Sequence, residues 1–128
     1  RDAVAEYAKR LSRFCKWDVR ELPERPSPEE EAESILKECR GYTFALAVEG
    51  KVCSSEQLAA KLKQLCDAGK EITFVIGSSC GLAPRVKQAA DELLSFSPMT
   101  FPHQMMRVIL SEQVYRAFMI NAGAEYHK

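Results

Sequence analysis

Two hydrophobic periods alternate along this chain, and the switches between them outline its elements. From Asp2 to Phe14, apolar Val4, Tyr7, Ala8, Leu11 and Phe14 recur at helical spacing, with Lys9, Arg10 and Arg13 between them. Trp17, Val19 and Leu22 then follow a strand-like pattern, which predicts a short strand over Trp17–Leu22. Pro23-Glu24-Arg25-Pro26-Ser27-Pro28 is a cluster of chain breakers. Ser27 caps the next helix, with Pro28 at its first position. Glu29, Glu30 and Glu31 complement the positive end of its dipole and read as a solvated helix start. That helix ends near Arg40-Gly41, and Tyr42–Val48 follows as a continuous apolar run ended by Glu49-Gly50. Such a run suits a strand buried on both faces, as in a parallel sheet.

Ser54-Ser55-Glu56-Gln57 offers a capping box from Ser54 to Gln57. Leu58, Leu62, Leu65 and Cys66 form the inner face of the helix it opens, and Gly69 ends it. Glu71–Ile76 is a second buried strand, which runs into Gly77-Ser78-Ser79-Cys80-Gly81. A helix is expected from about Pro84 to Leu93. The stretch Leu93–Tyr115 then passes an apolar run into a loop with Pro98 and Pro102, and the loop feeds a long helix. The two prolines fix φ and remove two donors, so this loop joins neither a ladder nor a helix interior. Thr100 is the expected N-cap, with Pro102 in the first turn. This order of strands and helices argues for an α/β protein with a mainly parallel sheet and helices on both faces.

Composition narrows the classes. The chain has 128 residues, enough for one domain with a hydrophobic core. Hydrophobic residues make up 46% and charged residues 28%, as in ordinary globular domains. No apolar run approaches the length of a membrane span, and no signal-peptide pattern is present. Lys plus Arg equals Asp plus Glu at 18 each, so any RNA binding has to come from a local patch. Cys15, Cys39, Cys53, Cys66 and Cys80 are odd in number and form no Cys-x-x-Cys pair. Reduced, mostly buried thiols in a cytoplasmic protein fit better than disulfides or zinc. The chain opens at Arg1 inside a helical pattern, which predicts a further segment ahead of it.

In an open parallel sheet, ligands collect beyond the carboxyl ends of the strands. Three such ends are legible: Leu46–Gly50, Ile76–Gly81 and Phe96–Phe101. The second carries neither the Gly-x-Gly-x-x-Gly pattern nor a Walker loop, which counts against dinucleotides and nucleoside triphosphates. Together the three ends fit a small-molecule crevice. His103 and Arg107, four apart, share a helix face, and Glu112–Arg116 has the spacing of a surface salt bridge. Tyr126-His127-Lys128 reads either as a free tail or as a contact to RNA through stacking and phosphate pairing. No Ser-His-Asp set stands out, and two histidines are too few for a typical metal site.

Ser95-Phe96-Ser97-Pro98-Met99-Thr100-Phe101-Pro102-His103-Gln104-Met105-Met106-Arg107-Val108, then Glu112–Phe118, Gly123 and Tyr126-His127-Lys128, closely resemble the bacterial ribosomal RNA large subunit methyltransferase H family, of the SPOUT class. Ile76-Gly77, Gly81-Leu82, Leu46, Gly50-Lys51 and the helix with Tyr7 and Arg10-Leu11 extend the resemblance over essentially the whole chain. It implies a deep C-terminal trefoil knot, an exception to the rule against threaded chains. It also implies S-adenosylmethionine as methyl donor, a homodimer, and methylation of N3 on a pseudouridine in 23S rRNA of the assembled ribosome. By the family pattern the donor contacts fall on Leu46, Gly77, Phe96, Ser97, Pro98, Met99, Thr100 and Phe101. His103, Arg107, Tyr126 and His127 are the polar groups expected nearest the target base. No metal and no membrane are implied.

The departures are specific. The family's opening strand and Gly-Lys loop are absent from residues 1–128. Ser78 stands where a second glycine is usual after Gly77, which fits a small side chain at the risk of lower cofactor affinity. Pro98 is less usual and stiffens the loop. The alternative reading is a non-catalytic SPOUT-fold module that binds RNA or a nucleotide. Binding of S-adenosylmethionine separates the two.

Overall fold

The computed structural model describes residues 2–78 and 81–126. Eight elements follow in chain order: α1 (Asp2–Leu11), α2 (Pro28–Glu38), β1 (Tyr42–Val52), α3 (Ser55–Asp67), β2 (Ile72–Val75), α4 (Pro84–Ala89), β3 (Glu92–Ser95) and α5 (His103–Asn121). The strands form one sheet in the order β2-β1-β3, with both pairings parallel.

Local chemistry explains most boundaries. The Ser27 hydroxyl accepts the Glu30 N–H at the start of α2, with Pro28 at its first position. At α3 the capping box is complete: the Ser54 hydroxyl accepts the Gln57 N–H at 3.0 Å, and the Gln57 side chain accepts the Ser54 N–H at 2.8 Å. Gly69, at φ 73°, ends α3 in the left-handed conformation, and Lys70 N–H bonds back to the Leu65 carbonyl.

Four expectations are corrected. Trp17–Leu22 is irregular chain, not a strand, and Val19 and Leu22 are exposed. Alternation alone makes no strand without a ladder partner; here Arg20 instead engages Asp18 and Glu38 through side chains. α4 stops at Ala89, and Leu93 belongs to β3. The Asp91 N–H donates to the Thr43 carbonyl, and its carboxylate accepts the Thr43 N–H, so the chain is drawn into the sheet there. Cys66 is exposed and Ala59 takes the inner position beside Leu58, Leu62 and Leu65. Cys15, Cys39 and Cys53 are only half-buried, and burial pushes each thiol above its ordinary range; Cys80 lies outside the described residues. Finally, α5 begins after Pro102, whose carbonyl accepts the Met106 N–H, and Thr100 does not cap it.

The helices cover both faces. On one, Phe44, Leu58, Leu62, Leu94, Leu110 and Val114 make the main core, which packs α1, α3 and α5 against the sheet. On the other, Val75 meets Ala32, Ala83 and Val86 of the α2–α4 layer. The chain runs from β1 to β2 on one side of it, then from β2 across to β3 on the other. This reversal of direction at β1 is a topological switch point, where open α/β sheets place their ligands. The outer edge of β2 faces a cavity of about 790 Å³, with Cys15–Glu24 across from it. The Trp17 indole N–H is buried there and finds no hydrogen-bond partner among the described residues.

Candidate active site at the strand ends

Because the sheet is parallel, the ends of β1, β2 and β3 lie at one rim. Leu46, Ile76 and Phe96 are half-buried there against the same core. The first of these ends differs from expectation. β1 does not stop at Glu49-Gly50 but resumes: Leu46 pairs with Leu94, residues 47–50 loop out, and Lys51 and Val52 pair with Leu94 and Ser95. Gly50 makes this excursion possible, since a Cβ on it would sit 2.7–2.9 Å from the Leu93–Leu94 backbone. Lys87 Nζ of α4 lies 2.6 Å from Glu49 in the excursion, and that hydrogen bond holds the Glu49 carboxyl below its usual range.

At the second end the backbone turns tightly. Gly81 N–H donates to the Ser78 carbonyl at 2.9 Å. A Cβ on Gly77 would come within 2.8 Å of the Gly81 carbonyl carbon and 3.1 Å of Leu82 Cγ. Behind this turn lies Glu31, only 6% exposed. It is not the solvated helix-start residue expected. The Ser78 hydroxyl reaches its two carboxylate oxygens at 2.9 and 3.0 Å. Glu31 escaped the sequence reading because it was grouped with Glu29 and Glu30. The usable signal was its helical spacing to Ala32 and Ile35, which also face inward.

Third, the loop after β3 is pinned by serines. Ser95 Oγ is 3.0 Å from the Ser97 carbonyl and 3.2 Å from the Ser97 amide, and Ser97 Oγ accepts the Met99 N–H at 3.0 Å. Phe96, Ser97 and Phe101 are half-buried, while Pro98, Met99 and Thr100 are exposed. The three strand ends thus place apolar side chains beside turns with open backbone polar groups. This arrangement suits a nucleoside read through its edges, with Leu46, Ile76 and Phe96 as the walls.

His103 and Arg107 line the same cavity as Gly77. Gln104 links them: its carbonyl oxygen accepts from Arg107 Nη1 at 3.0 Å, and its amide nitrogen lies 3.4 Å from His103 Nε2. Arg107 Nη2 also meets Glu21 Oε2 at 2.6 Å, a partner that the sequence did not suggest. Leu46 and Phe96–Phe101 are not among the walls of this cavity.

Tyr126 is placed elsewhere along α5. Its hydroxyl donates to Glu112 Oε2 at 3.0 Å, its ring meets Tyr115 edge-on, and the Arg116 guanidinium lies 4.9 Å from its centroid. Burial, then the bond to Glu112, pushes the Tyr126 phenol up to about 12. The Glu112–Arg116 pair, at 2.6 Å, is largely buried and not the surface pair expected. Glu112 lies five residues past Arg107, about 140° around the helix, so a single chain does not gather Tyr126 with His103 and Arg107. His127 lies outside the described residues. Among the described residues no group of three or more His, Cys, Asp or Glu is placed to hold a metal ion, and no helix is long and apolar enough to cross a membrane.

Comparison with known proteins adds a second line. A family model described as "Predicted SPOUT methyltransferase" matches residues 1–127. The chain is 50% identical, over 143 aligned positions, to ribosomal RNA large subunit methyltransferase H of Levilactobacillus brevis, covering all of this chain and 90% of that protein. The protein of the same name from Bifidobacterium animalis subsp. lactis is 52% identical over the same span, and that from Bifidobacterium adolescentis 50%, with the same coverage of each chain.

Proposed function

The chain belongs to the SPOUT methyltransferase family, and on that premise we propose that it is the S-adenosylmethionine-dependent enzyme that methylates N3 of a pseudouridine in 23S rRNA. The observation that carries this reading is the convergence of three strand ends on one rim in a chain that matches methyltransferases of that name along its whole length.

Leu46, Gly77 and Phe96, Ser97, Pro98, Met99, Thr100 and Phe101 would hold the cofactor, the family's knot drawing the three ends together. The residues fit the group. Gly77 permits the tight turn against Gly81 and Leu82, where a Cβ has no room, and the three half-buried apolar side chains offer walls for an adenine ring. When bound, the cofactor supplies a methyl group already activated on a sulfonium, so the protein's main task is positioning. The target nitrogen must also lose its proton. We assign His103 and Arg107 to the polar wall beside the base, with Gln104 fixing their side chains relative to each other. Tyr126 and His127 complete the assignment from the tail. Tyr126 on its own chain's Glu112 is far from this wall, which favours a site shared between two protomers.

We also propose a homodimer through α5. Its core side is Leu110, Val114 and Ala117, but Met106, Val108, Ile109, Met119 and Ile120 remain only half-buried elsewhere on the helix, and Met105 is 51% exposed. Apolar side chains left half-covered outside the core side of a helix call for a second partner. We read the chain as a single SPOUT methyltransferase domain. The protein acts in the cytoplasm. A small dimer without net charge has a limited electrostatic footprint on naked RNA, which favours the assembled ribosome as substrate.

Calorimetric titration with S-adenosylhomocysteine tests the cofactor assignment. Saturable binding near one site per chain is expected, and half that ratio indicates an asymmetric dimer. A folded protein that does not bind moves the reading to the non-catalytic RNA-binding module.

A further inference from the structure

We infer that Glu31 is a positioning residue for the cofactor end of β2, acting through the hydroxyl of Ser78. This rests on the assignment of Gly77 and its neighbours to the S-adenosylmethionine site.

The carboxylate of Glu31 is buried, at 6% exposed, and among the described residues no Lys, Arg or His lies within salt-bridge distance of it. A buried carboxylate without a counter-charge is costly to keep, and it persists only where hydrogen bonds hold it. Here the Arg25 N–H donates to Oε2 at 3.0 Å, and the Ser78 hydroxyl sits 2.9 and 3.0 Å from the two oxygens.

Ser78 directly follows Gly77. The Gly77–Ser78 backbone is therefore confined from two directions. On one, the Gly81 and Leu82 atoms leave Gly77 no room for a side chain. On the other, Glu31 grips the Ser78 side chain. α2, which carries Glu31, is itself fixed to α4 through Ala32, Ala83 and Val86, so the grip comes from a packed layer and not from a loose loop. The serine that departs from the usual glycine thus has a partner built for it. A glycine at this position removes the donor and leaves the buried carboxylate with the Arg25 amide.

The consequence has a sign opposite to the expectation from the family pattern: Ser78→Gly weakens cofactor binding in this chain instead of restoring it. Calorimetric titration of the full chain with S-adenosylhomocysteine is the test, with wild type, Ser78→Gly, Ser78→Ala, Glu31→Gln and the double variant Glu31→Gln/Ser78→Ala. Each single variant is expected to bind about ten- to a hundredfold more weakly, the range for a lost hydrogen bond to a charged group. The double variant is expected to lose no more than the weaker-binding single one, because Ser78→Ala removes the donor and Glu31→Gln the charge of the same contact. In the methylation assay KM for S-adenosylmethionine rises by the same factor while kcat at saturation holds, which a general loss of folded protein does not produce. Ser78→Ala changes a single hydroxyl and keeps the test readable if Glu31→Gln folds poorly. Ser78→Gly binding as tightly as wild type, or additive losses in the double variant, overturns the inference. A wild-type chain that is folded but does not bind overturns the site assignment itself, a separate and prior result.

Discussion

Gly77→Ala is expected to weaken S-adenosylhomocysteine binding by one to two orders of magnitude. The reason is space rather than conformational freedom. The new Cβ falls 2.8 Å from the Gly81 carbonyl carbon and 3.0 Å from its oxygen, and 3.1 Å from Leu82 Cγ. Two of these neighbours are backbone and do not swing aside. Overpacking of this kind costs about 1–3 kcal/mol and is relieved by opening the turn, and binding that requires the closed turn has to repay that relief. Calorimetric titration reads the change directly. Gly69→Ala is the control. It lies at φ 73° with nothing within 4 Å, so the substitution strains the end of α3 and leaves cofactor affinity at the wild-type value. Equal affinity in Gly77→Ala and wild type would remove this turn from the site.

Phe44→Ala is expected to lower unfolding stability by about 3–5 kcal/mol, read from the urea midpoint at unchanged slope. Phe44 stands on the central strand and is 1% exposed. Its ring stacks on Phe74 with centroids 5.0 Å apart and meets Tyr42 edge-on at 5.1 Å. Removing it empties the middle of the main core beneath α3 and α5. Domains of this size hold about 5–15 kcal/mol in total, so the variant sits near its folding threshold. Phe14→Ala, at a ring 38% exposed that stacks on Phe118, is expected to cost well under half as much. A Phe44 variant that unfolds within about 1 kcal/mol of wild type would contradict a core organised on this strand.

The parts of the fold legible in the sequence are those fixed by neighbouring residues. Ser27-Pro28 and the Ser54–Gln57 box cap their helices as expected, since a cap is a contact between residues three apart. Tyr42–Val48 falls within β1 and Glu71–Ile76 contains β2, because a continuous apolar run marks a strand of a covered sheet. What stayed hidden depends on distant partners. Trp17–Leu22 has the alternation of a strand but no ladder partner among the described residues. Leu93-Leu94 was too short a run to separate helix from strand, and the contact of Asp91 with Thr43 decides it. Strand direction places the three strand ends at one rim, and that much is legible from topology. The partner of Arg107 in Glu21, of Tyr126 in Glu112 and of Ser78 in Glu31 was not, because each joins residues far apart in sequence that only the packed layers bring together.

The measurement closest to the central claim is methyl transfer itself. Purified protein is incubated with isotopically labelled S-adenosylmethionine and ribosomes lacking the modification. The 23S rRNA is then digested and its nucleosides resolved by mass spectrometry. One labelled methyl group per ribosome is expected, carried on N3 of a pseudouridine, with free rRNA modified far less well. Label on another nucleoside, or none with a protein that is folded and binds S-adenosylhomocysteine, would contradict that claim.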